Sequence, residues 1–302
     1  MSTRSGFIAL AGRPNVGKST LVNAIVGCKV AIVSDKPQTT RRAIRGVATR
    51  TDGDAGWQAV LCDLPGVQRP RDVLTSRMQR RVEQEIAGCD GVLFLLDGAQ
   101  GVGGPGDRFI AKALAEAAAP VTIVVNKADK LHRPGMVAAL EAATALDAEF
   151  GLDAEIYPIS GRKGTGVEAL TARIVSLLPE GPFYFDVDEV SDLREDFRLA
   201  ELVREQVLRR TRQEVPHAVE VQVEEISERG DVLFVQAAVW VETESQKGIL
   251  IGAGGRMIRD VGTAARKEIE REVAERVHLE LQVRVRRSWR ADDALLDRLG
   301  IT

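Results

Sequence analysis

Over the first 178 residues, short apolar runs recur as FIALAG, WQAVLCD, GVLFLLD, VTIVVNK and EIYPIS, separated by stretches of helical character. Unbroken apolar runs suit strands buried on both faces, and their alternation with helices predicts an α/β unit, a mostly parallel sheet wrapped by helices. LPEGPFYFDVDEVSD, Leu178 to Asp192, interrupts this order with prolines, glycine-flanked turns and acidic residues, the composition of a linker. Beyond it Leu199, Leu202, Val203 and Val207 recur at helical spacing. HAVEVQVEE and DVLFVQAAVWV then alternate apolar and polar positions, Val219, Val221, Val223 and Leu233 to Val241, predicting a hairpin turned at RGD. Ile258, Val261, Ala265, Ile269, Val273 and Val277 trace one face of a long helix, and LELQVRVR alternates again as a strand. The pattern predicts an α/β unit over 1–178, a linker over 179–192, and over 193–302 a small α+β unit with helices on one face of a three-stranded sheet.

With 302 residues, 44% of them hydrophobic, the chain can bury two cores. Cys28, Cys62 and Cys89 form no C-x-x-C pair and His132, His217 and His278 are scattered, so neither a disulfide framework nor a zinc pattern is expected and a reducing cytoplasm fits. The apolar stretch in MSTRSGFIALAG is too short for a signal peptide, and GVLFLLDG is far below the roughly 20 residues of a membrane span. The net charge of −3 argues against nucleic acid only until it is located. Residues 181–302 hold 19 basic and 25 acidic residues, yet Lys247 to Lys267 carries five basic residues against one acid, and Leu281 to Arg290 four arginines and no acid. An acidic chain can thus present a basic stripe.

GRPNVGKST, Gly12 to Thr20, follows an apolar run and precedes the helical LVNAIVG, which is the spacing and context of a phosphate-binding loop. Gly12 and Gly17 let the backbone of Arg13, Pro14, Asn15 and Val16 curl so that N–H groups meet phosphate oxygens. Lys18 reaches the outer phosphates, and the Ser19 hydroxyl, ahead of Thr20, ligates Mg²⁺. DLPG, Asp63, Leu64, Pro65 and Gly66, ends another apolar run, where a carboxylate can hold a Mg²⁺ water and a glycine can sense the last phosphate. NKAD places Asn126, Lys127 and Asp129 after VTIVV; the Asp129 carboxylate can accept two parallel N–H bonds from guanine, a donor pair that adenine lacks. SGR, Ser160, Gly161 and Arg162, can offer backbone N–H groups to the base oxygen. These motifs sit at strand ends, where open α/β sheets bind ligands, and together they predict a GTPase that cycles between GTP and GDP and reject an ATP-dependent kinase. KPQTTR supplies a hydroxyl for the Mg²⁺ shell, Thr40 or alternatively Thr39. Val67 stands where many GTPases carry a glutamine that orients the attacking water, so slow hydrolysis is expected, with catalysis from Asn15, Lys18, Thr40 and Gly66. Asn15 is a candidate ligand for K⁺, which would act there as a second cation.

A second glycine-rich stretch, GILIGAGGRMIRD, Gly248 to Asp260, lacks the third glycine of a dinucleotide fingerprint, because Met257 stands there, and has no strand-helix-strand unit around it. The segments GRPNVGKSTLVNAIVG, PQTTRR, DLPGV, NKAD, LPEGPFYF, REDFRLAELVREQVLRRTRQEVPHAVEVQVEE, QKGILIGAGGRMIRDVGTAARKEIE and VHLELQVRVRRSWR, in this order over nearly the whole chain, resemble the Era-type GTPases of bacteria. That resemblance implies a GTPase domain followed by a type II KH domain. Gly252 and Gly255 become a G-x-x-G turn that clamps about four nucleotides of single-stranded RNA, with Lys247, Ala253, Gly254, Arg256 and Arg259 beside the backbone. It further implies binding to 16S rRNA, a role in assembly of the small ribosomal subunit, and peripheral association of a cytoplasmic monomer with the inner membrane. Leu64 departs from the family's D-T-P-G, and Gly161 and Arg162 from its Ser-Ala-Lys-like run. The rival from another class is a signalling or trafficking GTPase whose second half binds protein or membrane.

Overall fold

The structure, a computed structural model, describes residues 3–301 except 37, 54, 69, 71, 213 and 214. Pro37 of KPQTTR, and Gln213 and Glu214 of the long C-terminal segment, therefore lie outside the described residues. The first sheet contains β1 (Thr3–Gly12), β2 (Ile44–Asp52), β3 (Ala55–Asp63), β4 (Gly91–Asp97), β5 (Val121–Asn126) and β6 (Glu155–Pro158), in the order β2-β3-β1-β4-β5-β6. All neighbours run parallel except β2 against β3. The five apolar runs are β1 and β3 to β6. β2 escaped the reading because its sequence, IRGVATRTD, mixes charge with apolar residues, as an edge strand paired on one side can.

Among the described residues five helices cover this sheet: α1 (Lys18–Val26), α2 (Val73–Ala87), α3 (Pro105–Leu114), α4 (Arg133–Phe150) and α5 (Val167–Leu177). Because β1 and β4 are central, their side chains are buried on both faces. Ile8, Leu10, Leu93 and Leu95 pack toward α1 and α5, while Ala9, Ala11, Phe94 and Leu96 pack with α3 and α4. Each buried leucine or isoleucine contributes about 1.5–3 kcal/mol of transfer free energy, so the C-terminal edge of this sheet is a rigid platform.

The second sheet has β7 (Glu220–Arg229) and β8 (Val232–Val241) antiparallel, with β9 (Arg276–Val285) parallel to β8 on its other side. Its helices are α6 (Glu195–Arg210), the single turn α7 (Val215–Ala218), α8 (Glu244–Ile251), α9 (Arg256–Val273) and α10 (Asp293–Arg298). One face of β8, from Leu233 to Val241 at alternate positions, packs on Leu199 and Val203 of α6, Leu250 of α8 and Val261, Ala265 and Ile269 of α9. Three expectations change here. Val277 lies in β9, not on the helix: Ala274 takes a left-handed conformation (φ +57°) that ends α9, and the four-residue spacing from Val273 to Val277 only imitates a continuing helical face. α7 and α10 are too short to show a period. The far face of the sheet is also covered, because Ala238 and Trp240 pack with Leu74 and Met78 of α2 and with Trp289, Leu296, Leu299 and Ile301.

Residues 179–192 form no helix or long strand but are bound to the first sheet. The buried Gln58 side chain on β3 donates to Thr49 Oγ1 and to Phe185 O (2.8 Å), and its Oε1 accepts from the N–H groups of Tyr184 and Phe185. Val47 N–H on β2 donates to Val190 O at 2.8 Å, and Ser191 Oγ to Arg45 O.

Candidate nucleotide site

A cleft of about 430 Å³ opens at the C-terminal ends of β1, β3 and β5, lined among others by Asn15, Gly17, Lys18, Ser19, Thr40 and Lys127. The loop Gly12–Gly17 leaves β1 and runs into the N-terminus of α1, so unpaired N–H groups face the cleft. Gly17 sits at φ +102°, and a Cβ there would stand 2.3 Å from Asn126 Nδ2, so no other residue fits. Gly66 is equally constrained, since its Cβ would lie 2.7 Å from the backbone of Pro14.

Lys18 is buried inside this loop, its ammonium donating to Gly12 O and Arg13 O at 3.3 Å each. Burial lowers its pKa to about 8, only partly opposed by Asp63. Phosphate oxygens beside it would restore the charge. Asp63 is wholly buried as well, and burial raises its pKa to about 6 against the pull of Lys18 and the hydroxyls of Ser19 and Thr40. Ser19 Oγ donates to Asp63 Oδ2 at 2.6 Å and lies 3.1 Å from Thr40 Oγ1. Of the two candidate threonines, Thr40 therefore joins this cluster, whereas Thr39 Oγ1 donates to Lys36 O at 2.6 Å.

At the other end of the cleft, Ser160 Oγ donates to Asp129 Oδ1 at 2.6 Å, which lowers the carboxyl's pKa and fixes one of its oxygens. Asn126 does not face the cleft but fastens three loops together: its Nδ2 donates to Val16 O at 2.8 Å, and its Oδ1 accepts from Lys127 N and Gly161 N. Ser160 N donates to Thr165 O, so neither the Ser160 nor the Gly161 N–H is directed at the base oxygen. Arg13 turns away to Asp107 (2.6 Å), and Val16 and Leu64 belong to the apolar cores. Pro14, Thr20 and Gly66 line the cleft.

The second glycine loop lies on the other half, between α8 and α9. Gly252, Gly254 and Gly255 all take positive φ, and Gly254 and Gly255 have open space around them. Ala253 and Arg256 are exposed, Lys247 half-buried, and Arg259 donates to Gly254 O at 2.8 Å, closing the loop onto the first turn of α9. The loop thus exposes backbone and basic side chains, and it opens onto a groove of about 430 Å³ between α9 and β9, lined among others by Ile258, Arg259, Gly262, Arg266 and His278.

Comparison with known proteins follows the same division. The family described as 50S ribosome-binding GTPase matches residues 7–127, and the KH domain family matches residues 214–290. GTPase Era of Carboxydothermus hydrogenoformans is 43% identical over 100% of this chain and 99% of its own, and GTPase Era of Mycolicibacterium smegmatis is 42% identical over 98% of each. The chain belongs to the Era family of GTPases. Two solved Era structures superpose over 99% of both chains. One, in complex with MgGDPNP and nucleotides 1506–1542 of 16S ribosomal RNA, has a TM-score of 0.93 at 32% identity. The other, an Aquifex aeolicus Era variant bound to GDP and AlF4⁻, has a TM-score of 0.92 at 33% identity.

In this Era-family chain the segment Lys29–Arg42, between α1 and β2, is held by the KH half, which motif reading missed. Arg41 and Arg42 enter a buried cluster with Glu201 and Arg204 of α6 and Glu220 of β7. Arg41 pairs with Glu220 at 2.8 Å, Arg42 with Glu201 at 3.0 Å, and Arg204 with Glu201 at 2.7 Å. Arg204 also donates to Thr39 O and Arg42 to Leu299 O. Upstream, Glu205 accepts from Lys29 Nζ (2.7 Å) and Val33 N, and Arg198 donates to Val30 O at 2.5 Å. Asp97 was missed too, although an acid ending the apolar run of β4 was the available signal; it pairs with Lys127 at 2.5 Å. Three of the four arginines of 281–290 are also engaged, Arg284 with Glu224, Arg290 with Glu242 at 2.7 Å, and Arg286 over Trp240.

Burial opposes the charge on Glu220, but Arg42, Arg41 and Arg204 outweigh it and hold the pKa at about 2, below its ordinary 4.5. A depressed carboxyl pKa contributes stability above about pH 4.5 that is lost as pH falls toward 2. Glu220→Gln is expected to lower the unfolding free energy at pH 7 by about 3 kcal/mol, because it leaves buried guanidinium charge unpaired, and to flatten the loss between pH 4.5 and 2. Urea titrations across this range check both parts.

Proposed function

We propose that this GTPase is a GTP-hydrolysing switch that binds 16S rRNA through residues 193–302 and acts in assembly of the small ribosomal subunit. The carrying observation is that the two halves meet on one segment. Thr40 faces Ser19 and Asp63 at the phosphate end, while the adjacent Arg41 and Arg42 are buried against α6 and β7. The Era structure in complex with both MgGDPNP and a 16S rRNA segment supports the same pairing of ligands.

In this reading the N–H groups of Gly12–Gly17 and the Lys18 ammonium bind phosphates, and Asp129 binds the guanine edge. Ser19, Thr40 and Asp63 form an oxygen-only donor set that suits Mg²⁺, and Asp63 Oδ1 is buried with no hydrogen-bond partner among the described residues, as a group that receives a metal-bound water would be. Bound Mg²⁺ would neutralise charge on the outer phosphates. Asn15, with its backbone at φ +63° and its Nδ2 donating to Asp35 O at 2.7 Å, is fixed on the cleft wall where K⁺ would bridge phosphates. The protein works as a cytoplasmic monomer with peripheral contact to the inner membrane, and 179–192 joins its halves.

Asp129→Asn should weaken GTP binding by about 100-fold or more, because one of two parallel acceptors becomes a donor, and should improve binding of xanthosine triphosphate, whose edge offers the matching acceptor. Calorimetry with both nucleotides checks this. The pair Gly252→Asp and Gly255→Asp is expected to lower affinity for a 16S 3′-end oligonucleotide by about 10-fold or more and to reduce its salt dependence, while GTP binding is unchanged; unchanged RNA affinity would instead favour a protein or membrane partner. Hydrolysis is expected to run faster in KCl than in NaCl, and equal rates would remove the role of K⁺.

A further inference from the structure

Hydrolysis of GTP needs an oriented water, and the residue after Gly66 cannot supply the orientation. Val67 is an apolar core side chain, 5% exposed and packed with Leu64 and Phe94. Among the described residues three carboxamides line the cleft: Asn15, whose amide is held by Asp35 O, Gln100, whose backbone N–H is tied to Asp97 at the end of β4, and Gln38.

Three independent observations single out Gln38. It stands two residues before Thr40, whose hydroxyl lies 3.1 Å from Ser19 Oγ, and so at the end of the cleft where the last phosphate would lie. Its backbone is at φ +59°, a left-handed conformation that a glutamine rarely holds and that persists only when its surroundings impose it; such outliers gather at functional sites. Its Oε1 is buried, and no donor among the described residues reaches it. A buried amide oxygen without a donor is costly, and a partner arriving with the substrate accounts for it.

We propose that Gln38 Oε1 accepts a hydrogen bond from the water that attacks the γ-phosphate, so that the orienting carboxamide comes from the Lys29–Arg42 segment in place of position 67. This deepens the GTPase reading and rests on it. In the step, the water oxygen forms a bond to the γ-phosphorus while the bond from that phosphorus to the β–γ bridging oxygen breaks, its electron pair leaving with GDP. The water protons pass to the phosphate product and to solvent. Gln38 holds one of those protons in place and is itself unchanged. Because Thr39, Arg41 and Arg42 in the same segment are fixed by α6 and β7, the position of the carboxamide depends on the KH half.

The test is single-turnover hydrolysis of GTP by the full chain, alongside affinities for GDP and for a non-hydrolysable GTP analogue. Gln38→Gly suits the left-handed backbone but removes the carboxamide, and Gln38→Asn also tolerates that backbone but withdraws the oxygen by one methylene. Both are expected to slow the chemical step by about 10- to 100-fold with nucleotide affinities within about twofold of the parent. A parent rate in Gln38→Gly would show that the position matters for its backbone alone and overturn the proposal, as would a loss of analogue affinity as large as the loss of rate. A parent protein that binds but never hydrolyses GTP would instead bring down the GTPase reading itself.

Discussion

The rest of the structure depends on the buried cluster of Arg41, Arg42, Glu201, Arg204 and Glu220. Five charged side chains at 8% exposure or less are each costly to dehydrate, and only their mutual pairing offsets that cost. An ion-pair cluster of this kind is sensitive to geometry in a way that apolar contact is not: a small shift leaves charge unpaired, so the arrangement is either made or broken. Its two halves come from a loop that borders the nucleotide cleft and from a helix and strand of the KH unit. Bistable contacts, rather than elastic ones, are what turn a ligand's presence into a change at a distance.

The same economy governs the cleft. Lys18 and Asp63 are both buried and both shifted toward their neutral forms, which leaves the site poised for ligands that bring charge of their own. An anion beside Lys18 and a cation beside Asp63 would each relieve a desolvation cost that the folded chain already bears. Apolar burial of β1, β3, β4 and β5 supplies the rigidity that holds those groups in place.

Much of this was legible in the sequence because the informative features are local. The phosphate loop, DLPG and NKAD are each a few residues long and end apolar runs, so strand ends and chemistry are read together. What was not legible is of two kinds. Elements whose pattern is weak were lost: β2 lies at an edge, α7 and α10 span little more than a turn, and Val277 continues a helical spacing that Ala274 has already ended. Long-range partnerships were lost as well, because nothing in PQTTRR says that its arginines meet Glu201 and Glu220 about 160 to 180 positions away, nor that Ala238 and Trp240 find α2. Asn126 illustrates a third case, where the motif is right in place but its side chain serves the loops around it.

The anchoring of 179–192 by Gln58, Val47 and Arg45 bears on how the halves can move. The stretch looks like a spacer, but with Ser191 and Asp192 still bonded to Arg45 of β2 only Leu193 and Arg194 stand between that anchor and Glu195. Two such residues reach roughly 7 Å at full extension. Should the interface open, the KH half could swing through a large angle yet hardly drift away, like a gate on a short pin. Its return to the same contacts would then be set by rotation alone, at an effective concentration no long tether could match.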